Sequence, residues 1–273
     1  MQNLENGRYD SVADFIASLV EFRRPDLNRD YADRVETESD AKFLGGGCGT
    51  FSDVKRVIAD GWRAGQDTVS KLLDQTSGIE ATPQDRRRRL ARGDYGDTLD
   101  MGAVYRGRFD VAWSRAVRRP SYAPQQVDIV ANMVCAAFEN NSVLQWRGVA
   151  AIALADKLEA AGYMVRIVVA FGGKMRSDKA EKMSCRVTVK DYDKPLDICT
   201  TASVTLPGFF RSLGFSWILR HADSSVYMGI SAGNGEGNFE PGELVVSHNV
   251  RDRDSALAFV NRHIAKFNTP QAA

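Results

Sequence analysis

Residues Val127–Ala170 read VDIVANMVCAAFENNSVLQWRGVAAIALADKLEAAGYMVRIVVA, and this stretch decides the fold. Val127–Met133 is an apolar run of strand length, interrupted only by Asp128 and Asn132. Asn140-Asn141-Ser142 offers N-cap side chains to a run with helical spacing, in which Val143, Trp146, Ala150, Ile152, Ala153, Leu154, Leu158 and Ala161 form a broad apolar face. Its alanines favour helix and let it lie close on a sheet. Gly162 is the expected C′ residue, and Met164–Ala170 is a second β-branched run. Two buried strands joined by a helix of this length predict a parallel, right-handed βαβ unit.

Working outward, Ser11–Asp14 starts a helix carrying Phe15, Ile16, Leu19, Val20 and Phe22, stopped by Pro25. A charged connector follows over 26–42. The turn FLGGGCGT at 43–50 precedes a helix from near Ser52, and Asp67–Leu73 predicts a short further one. After Ala170, residues 171–182 read as loop and Met183–Tyr192 as a half-exposed edge strand. A helix with Phe209, Phe210 and Leu213 is expected to end at Gly214, before a strand at Phe215–Leu219. Ser225–Ile230 reads as a short strand, Ser231–Gly242 as loop and Leu244–Val246 as a last buried strand. The closing helix is capped near Asp252, with Leu257, Val260, Ile264 and Phe267 on one side. The expected fold class is α/β: a three-layer, mostly parallel, Rossmann-like sheet with an N-terminal helical extension. The expected domains are a mainly helical region at 1–120, including an Arg-rich segment at 86–119, and an α/β domain at 121–273.

The chain has 273 residues and a formal net charge of +1, so no whole-molecule field points to nucleic acid or membrane. Its four cysteines stand singly, as buried reduced thiols do. No apolar run reaches membrane-spanning length and the N-terminus lacks a signal-peptide core. A cytoplasmic protein with no membrane partner is therefore expected. The charge is concentrated in one block, where Arg86–Arg119 holds ten arginines against four aspartates. Arg86, Arg87, Arg88, Arg89, Arg92, Arg106 and Arg108, with Tyr95, Tyr105, Phe109 and Trp113, form a candidate nucleic-acid surface. Solvated charges pairing with the acidic residues of 26–40 explain the same block.

The loop after the first strand of a parallel sheet is where open α/β folds bind ligands. With Thr201, Ser247 and His248 from later strand or helix ends, it makes a candidate edge cleft: Asn132, Glu139, Asn141, Ser142, Thr201, Ser247 and His248. FLGGGCGT lacks the G-K-[ST] ending of a phosphate loop, and an ordinary turn before a helix cap explains it. GNGEGN at 233–238 has no helix after it. His263 reads as a surface or helix-end residue. No triad or cofactor motif is present.

The order of elements resembles a von Willebrand factor type A domain. More narrowly, segments Val12–Leu19, Gly49–Trp62, Trp146–Val168, Pro195–Ile198, Phe209–Phe215 and Glu243–Val260 resemble an uncharacterised group of phage and prophage proteins with such a domain in their C-terminal half. In metal-binding members of that superfamily the first-strand loop carries D-x-S-x-S, whose oxygens hold Mg²⁺. The matching positions here are Asn132, Val134 and Ala136, of which only Asn132 brings a side-chain oxygen. The resemblance therefore implies a degenerate metal site, no metal and no other cofactor. It implies a non-enzymatic interaction or assembly protein of a phage or mobile element, in the host cytoplasm if phage-encoded. Its partner is another protein or a second copy of itself. A nucleic-acid-binding accessory protein is the alternative.

Overall fold

The computed structural model describes residues 7–21, 41–76, 80–81, 89–96, 98–117, 125–134, 140–174, 182–221 and 239–268. The strands are β1 (Gly7–Tyr9), β2 (Arg89–Gly93), β3 (Thr98–Leu99), β4 (Trp113–Val117), β5 (Gln126–Asn132), β6 (Met164–Lys174), β7 (Lys182–Lys190) and β8 (Leu244–Val246). The helices are α1 (Val12–Glu21), α2 (Ala41–Leu44), α3 (Phe51–Asp60), α4 (Arg63–Gln75), α5 (Met101–Tyr105), α6 (Asn141–Ala160), α7 (Ile198–Ser203), α8 (Phe215–His221) and α9 (Arg253–Asn268).

Contacts divide the chain into two compact units, residues 1–82 with 126–273 and residues 83–125. The N-terminal helices thus belong with the sheet, and the partition does not coincide with a boundary at 120. The larger unit is mixed α/β, built on a mostly parallel sheet in the order β1-β7-β6-β5-β8. β5 lies parallel to both β6 and β8, β6 and β7 are antiparallel, and β1 is parallel to β7.

The βαβ unit forms as its sequence requires. Asn140 caps α6 by accepting from the Ser142 N–H at 3.1 Å. At the other end Gly162 takes φ 90°, the left-handed conformation that glycine tolerates. The Gly162 and Tyr163 N–H groups then donate to the Glu159 and Leu158 carbonyls, closing a Schellman motif. α6 is the central helix: it packs on β5 and β6 and also against α4, α7 and α9. Residues Arg147–Ala155 are accordingly buried without a break, where an outer helix would show one wet side. Gly148 is required here, because a Cβ would lie 2.1 Å from Thr205 Cβ.

Alternation along the strands separates two faces. Val127, Ile129, Ala131, Val165, Ile167, Val169, Phe171, Cys185 and Val187 join one large core with every described helix of this unit. The opposite face carries Val130, Val168 and Ala170, with Phe239 packed on them. Among the described residues the sheet therefore has helices on one face, where three layers were expected. The segment ahead of β8 lies over the other face. Glu243 pairs with Arg186 of β7 and Glu240 with Arg8 of β1, while the Glu240 N–H donates to Glu243 at 2.7 Å. The same face carries Asp128, which accepts from Arg166 at 2.7 Å and from Tyr192 at 2.6 Å.

Three other expectations change. β6 runs on through Phe171–Lys174, because its partner β7 continues alongside in register down to Lys182. β7 is interior, flanked by β6 and β1, so Arg186 and Lys190 are buried as well as Cys185 and Val187. Phe215–His221 is helix, entered directly from a π-helical turn at Phe209–Gly214. Gly214 does not stop it: the chain stays helical there, and an added Cβ would meet Phe210 Cδ2 at 2.9 Å. The proposed strand at 225–230 lies outside the described residues.

The smaller unit is an antiparallel sheet in the order β2-β4-β3, with α5 and a 3-10 turn at Phe109–Val111. Residues 89–117 are therefore not mainly helical. Arg89 pairs with Val117 and Gly93 with Trp113, and Leu99 lies opposite Trp113 on the other side of β4. Asp100 caps α5 through the Ala103 N–H at 3.2 Å, and the Asp100 N–H donates to the Ala112 carbonyl at 2.7 Å.

Candidate functional site

The candidate site at the strand ends is made by β5, the N-terminus of α6 and the end of β8. β5 delivers Asn132 and then Val134, both buried. The Asn132 carboxamide oxygen accepts from the Val134 N–H at 3.1 Å, folding the chain back as an Asx turn. Arg147, 1% exposed, reaches under this turn from α6. Its Nη1 donates to the Asn132 carbonyl at 3.0 Å and to the Val134 carbonyl at 2.6 Å. A fixed guanidinium thus satisfies carbonyls at the end of β5, and any cation brought there meets its charge.

A second buried arginine ties the glycine turn to the same helix end. Arg211 Nη1 donates to the Phe43 carbonyl at 2.8 Å and to the Asn141 side chain, and its guanidinium lies over the Phe43 ring at 4.9 Å. Gly45, Gly46 and Gly47 all have φ between 61° and 81°. A Cβ on Gly45 would lie 2.8 Å from Asn141 Nδ2, and one on Gly46 2.0 Å from Leu206 Cδ1. The glycines serve a close turn, which then feeds the Thr50–Asp53 capping box of α3.

The residues expected in the cleft are placed as follows. Asn132 and Ser247 end adjacent parallel strands, following the paired Ala131 and Val246. Ser247 donates to Asn249 Oδ1 at 3.1 Å, and His248 beside it is exposed. Asn141 and Ser142 lie half-buried in the first turn of α6. Thr201 is buried in α7, within the helical layer against α3, α4 and α6. Glu139 and Ala136 lie outside the described residues. Among the described residues no three His, Cys, Asp or Glu side chains converge as metal ligands. Burial pushes the Cys185 thiol well up, so it stays protonated and is no nucleophile. His263 is buried in α9 with Nδ1 2.9 Å from the Phe259 carbonyl, not on the surface as its sequence position suggests.

Sequence reasoning missed Arg147 and Arg211. The available signal was a lone cation at Trp146-Arg147-Gly148, inside a run otherwise apolar enough to be buried all round.

The smaller unit presents the second candidate surface. All the large apolar side chains exposed among the described residues lie here: Tyr95, Leu99, Met101, Tyr105 and Phe109, with Tyr105 84% and Phe109 65% exposed. In the same unit Ala103 and Ala112 are buried, at 2% and 1% exposure, and Val104, Val111 and Trp113 are half-buried. Five large apolar side chains left in solvent depart from what core packing produces. Arg92, Arg106 and Arg108 are exposed in the same region, as are Asp94 and Asp110. Arg92 Nη2 lies 3.8 Å from Asp100, a long and largely solvated pair. Arg89 is in β2, and Arg86, Arg87 and Arg88 lie outside the described residues.

No helix among the described residues is long and apolar enough to cross a membrane. No curated protein and no solved structure matches the chain. One family, described as a domain of unknown function (DUF7192), matches residues 3–271, and the chain belongs to that family.

Proposed function

We propose that this is a non-enzymatic protein-docking or assembly protein in which the α/β unit is the rigid scaffold and the exposed surface of residues 95–109 makes the contact. The observation that carries the reading is the exposure of large apolar side chains in the smaller unit. Tyr105, Phe109 and Met101 stand in solvent within nine residues of one another. Clustered exposed aromatics, methionine and arginine are the composition of protein interfaces. The scaffold is read as von Willebrand A-like with its ion site replaced, since the buried Arg147 holds the carbonyls of Asn132 and Val134 after β5. The setting implied by the sequence resemblance, an assembly of a phage or mobile element, belongs to the same proposal.

The nucleic-acid alternative draws less support. Among the described residues from 92 to 114, arginines 92, 106 and 108 stand with aspartates 94, 100 and 110, which weakens the positive field beside the exposed aromatics, while the whole block from Arg86 to Arg119 keeps ten arginines against four aspartates. A photo-crosslinking residue at position 105, compared with one at exposed Lys55 in the larger unit, tests the reading in cells that make the protein. A discrete nuclease-resistant adduct from 105 and none from 55 is expected. A nuclease-sensitive adduct, or equal labelling from both positions, overturns it.

A further inference from the structure

We infer that a cavity on the helical side of the larger unit binds a nucleoside monophosphate, a ligand with one planar ring system and one anionic group. α4 and α9 both touch α6, and side chains of all three helices line an open cavity of about 360 Å³, within the size range of small-molecule sites. Its lining is mainly apolar and includes buried Leu72 and half-buried Trp146. Lys71, Asp74, Gln75 and Arg253 line it as well, and all four are exposed. Arg253 Nε donates to Gln75 Oε1 at 2.8 Å, a bond from α9 to α4 that steadies the guanidinium and leaves its terminal nitrogens for a ligand. Lys71, Asp74 and the Trp146 indole have no hydrogen-bond or ionic partner among the described residues. Two cations against one carboxylate select an anion and repel a metal ion. A guanidinium matches the oxygens of a phosphate in a forked pair of bonds. An indole stacks on any nucleobase, whose flat face also suits a mainly apolar lining. Asp74, one turn from Lys71 on α4, accepts from sugar hydroxyls or a base amino group. A nucleoside monophosphate carries all three complements in one molecule of this size class.

Isothermal titration calorimetry on the full chain with adenosine monophosphate, cytidine monophosphate, adenosine and inorganic phosphate tests this. Each monophosphate is expected to saturate one site with a Kd below about 1 mM, at least tenfold tighter than adenosine or phosphate alone. Lys71→Gln/Arg253→Gln should weaken both monophosphates at least tenfold, and Trp146→Leu by a similar factor. Melting curves matching the parent keep the fold out of the comparison; should Trp146→Leu melt earlier, the charge variant, at two exposed positions, decides. Saturation by neither monophosphate overturns the inference. Phosphate bound as tightly as the monophosphates overturns it too, since the ring then contributes nothing. Binding that the charge variant leaves intact does the same, by placing the site elsewhere. The crosslinking test at position 105 is separate from all of these outcomes, because the cavity lies wholly in the larger unit.

Discussion

Arg147 holds one of the most consequential positions in the larger unit, because a buried charge is tolerated only where every partner is in place. Its two carbonyl bonds, at 3.0 and 2.6 Å, close the Asx turn after β5. Arg147→Met keeps the aliphatic stem but leaves the Asn132 and Val134 carbonyls without this donor. Hydrogen bonds to charged groups contribute about 1.5–3 kcal/mol each, so losing the two is expected to cost roughly 3–6 kcal/mol in urea unfolding. The variant should also open the strand-end turn to faster amide exchange at Val134. His263 makes a pH prediction. Burial depresses its pKa from 6.5, so the unfolded chain takes up a proton before the folded one does. Stability is then unaffected above about pH 6.5 and falls as the pH drops below it, until the folded imidazole also protonates; the slope is at most about 1.4 kcal/mol per pH unit. A His263→Gln variant should lack that component of the acid limb when unfolding is followed from pH 8 to pH 5. An unchanged limb would mean that the buried imidazole does not govern it.

The β6–β7 pair shows how one inserted residue redirects a side chain. Val168 pairs with Thr188 and Ile167 with Lys190, so Val189 is an extra residue and the alternation of β7 reverses beyond it. Ser184, Arg186 and Thr188 oppose Gly172, Ala170 and Val168, whereas Lys190 turns to the helix side. There its ammonium meets Glu159 near the end of α6 and donates to the Val165 carbonyl at 2.7 Å. Bulges of this kind leave no mark in a single sequence, which is why β7 reads as a plain alternating edge strand. Helix contacts are similarly silent. Gly148→Ala improves helix propensity by about 0.8–1.0 kcal/mol, yet the new methyl would fall on Thr205, and overpacking costs about 1–3 kcal/mol. A net loss in melting temperature is expected, and a gain would show that α6 and the Thr205 turn are looser than described. What the sequence does announce is strong local chemistry. The Asn140 cap, the Gly162 terminus and the two apolar runs of the βαβ unit all lie where their residues predict. Phe215–His221 misleads because aromatic and β-branched residues suit strand, while packing of Trp217 on Phe171 and of Phe215 on Phe210 serves a helix as well.

At the scale of the molecule, the two units carry different kinds of information. The larger one has its apolar side chains inside and, at the end of β5, carbonyls held by Arg147 where ligand oxygens were sought. The smaller one leaves five large apolar side chains exposed and Trp113 half-buried. The arginine block drew attention in the sequence, but the sequence could not show which of Tyr95, Tyr105, Phe109 and Trp113 stand in solvent. Trp113 is half-buried against β2 and β3, whereas the other three are exposed. Nor could it show that Leu99 and Met101 share their exposure, the feature on which the proposed protein partner rests. Hydrogen–deuterium exchange of the full chain, at a concentration where it is dispersed and at one where it is associated or partnered, tests this division most directly. The account predicts new protection over residues 95–110 and none over Asn132–Val134, Asn140–Ser142 and Ser247–His248. Protection that appears at those strand ends and leaves 95–110 unchanged would contradict it.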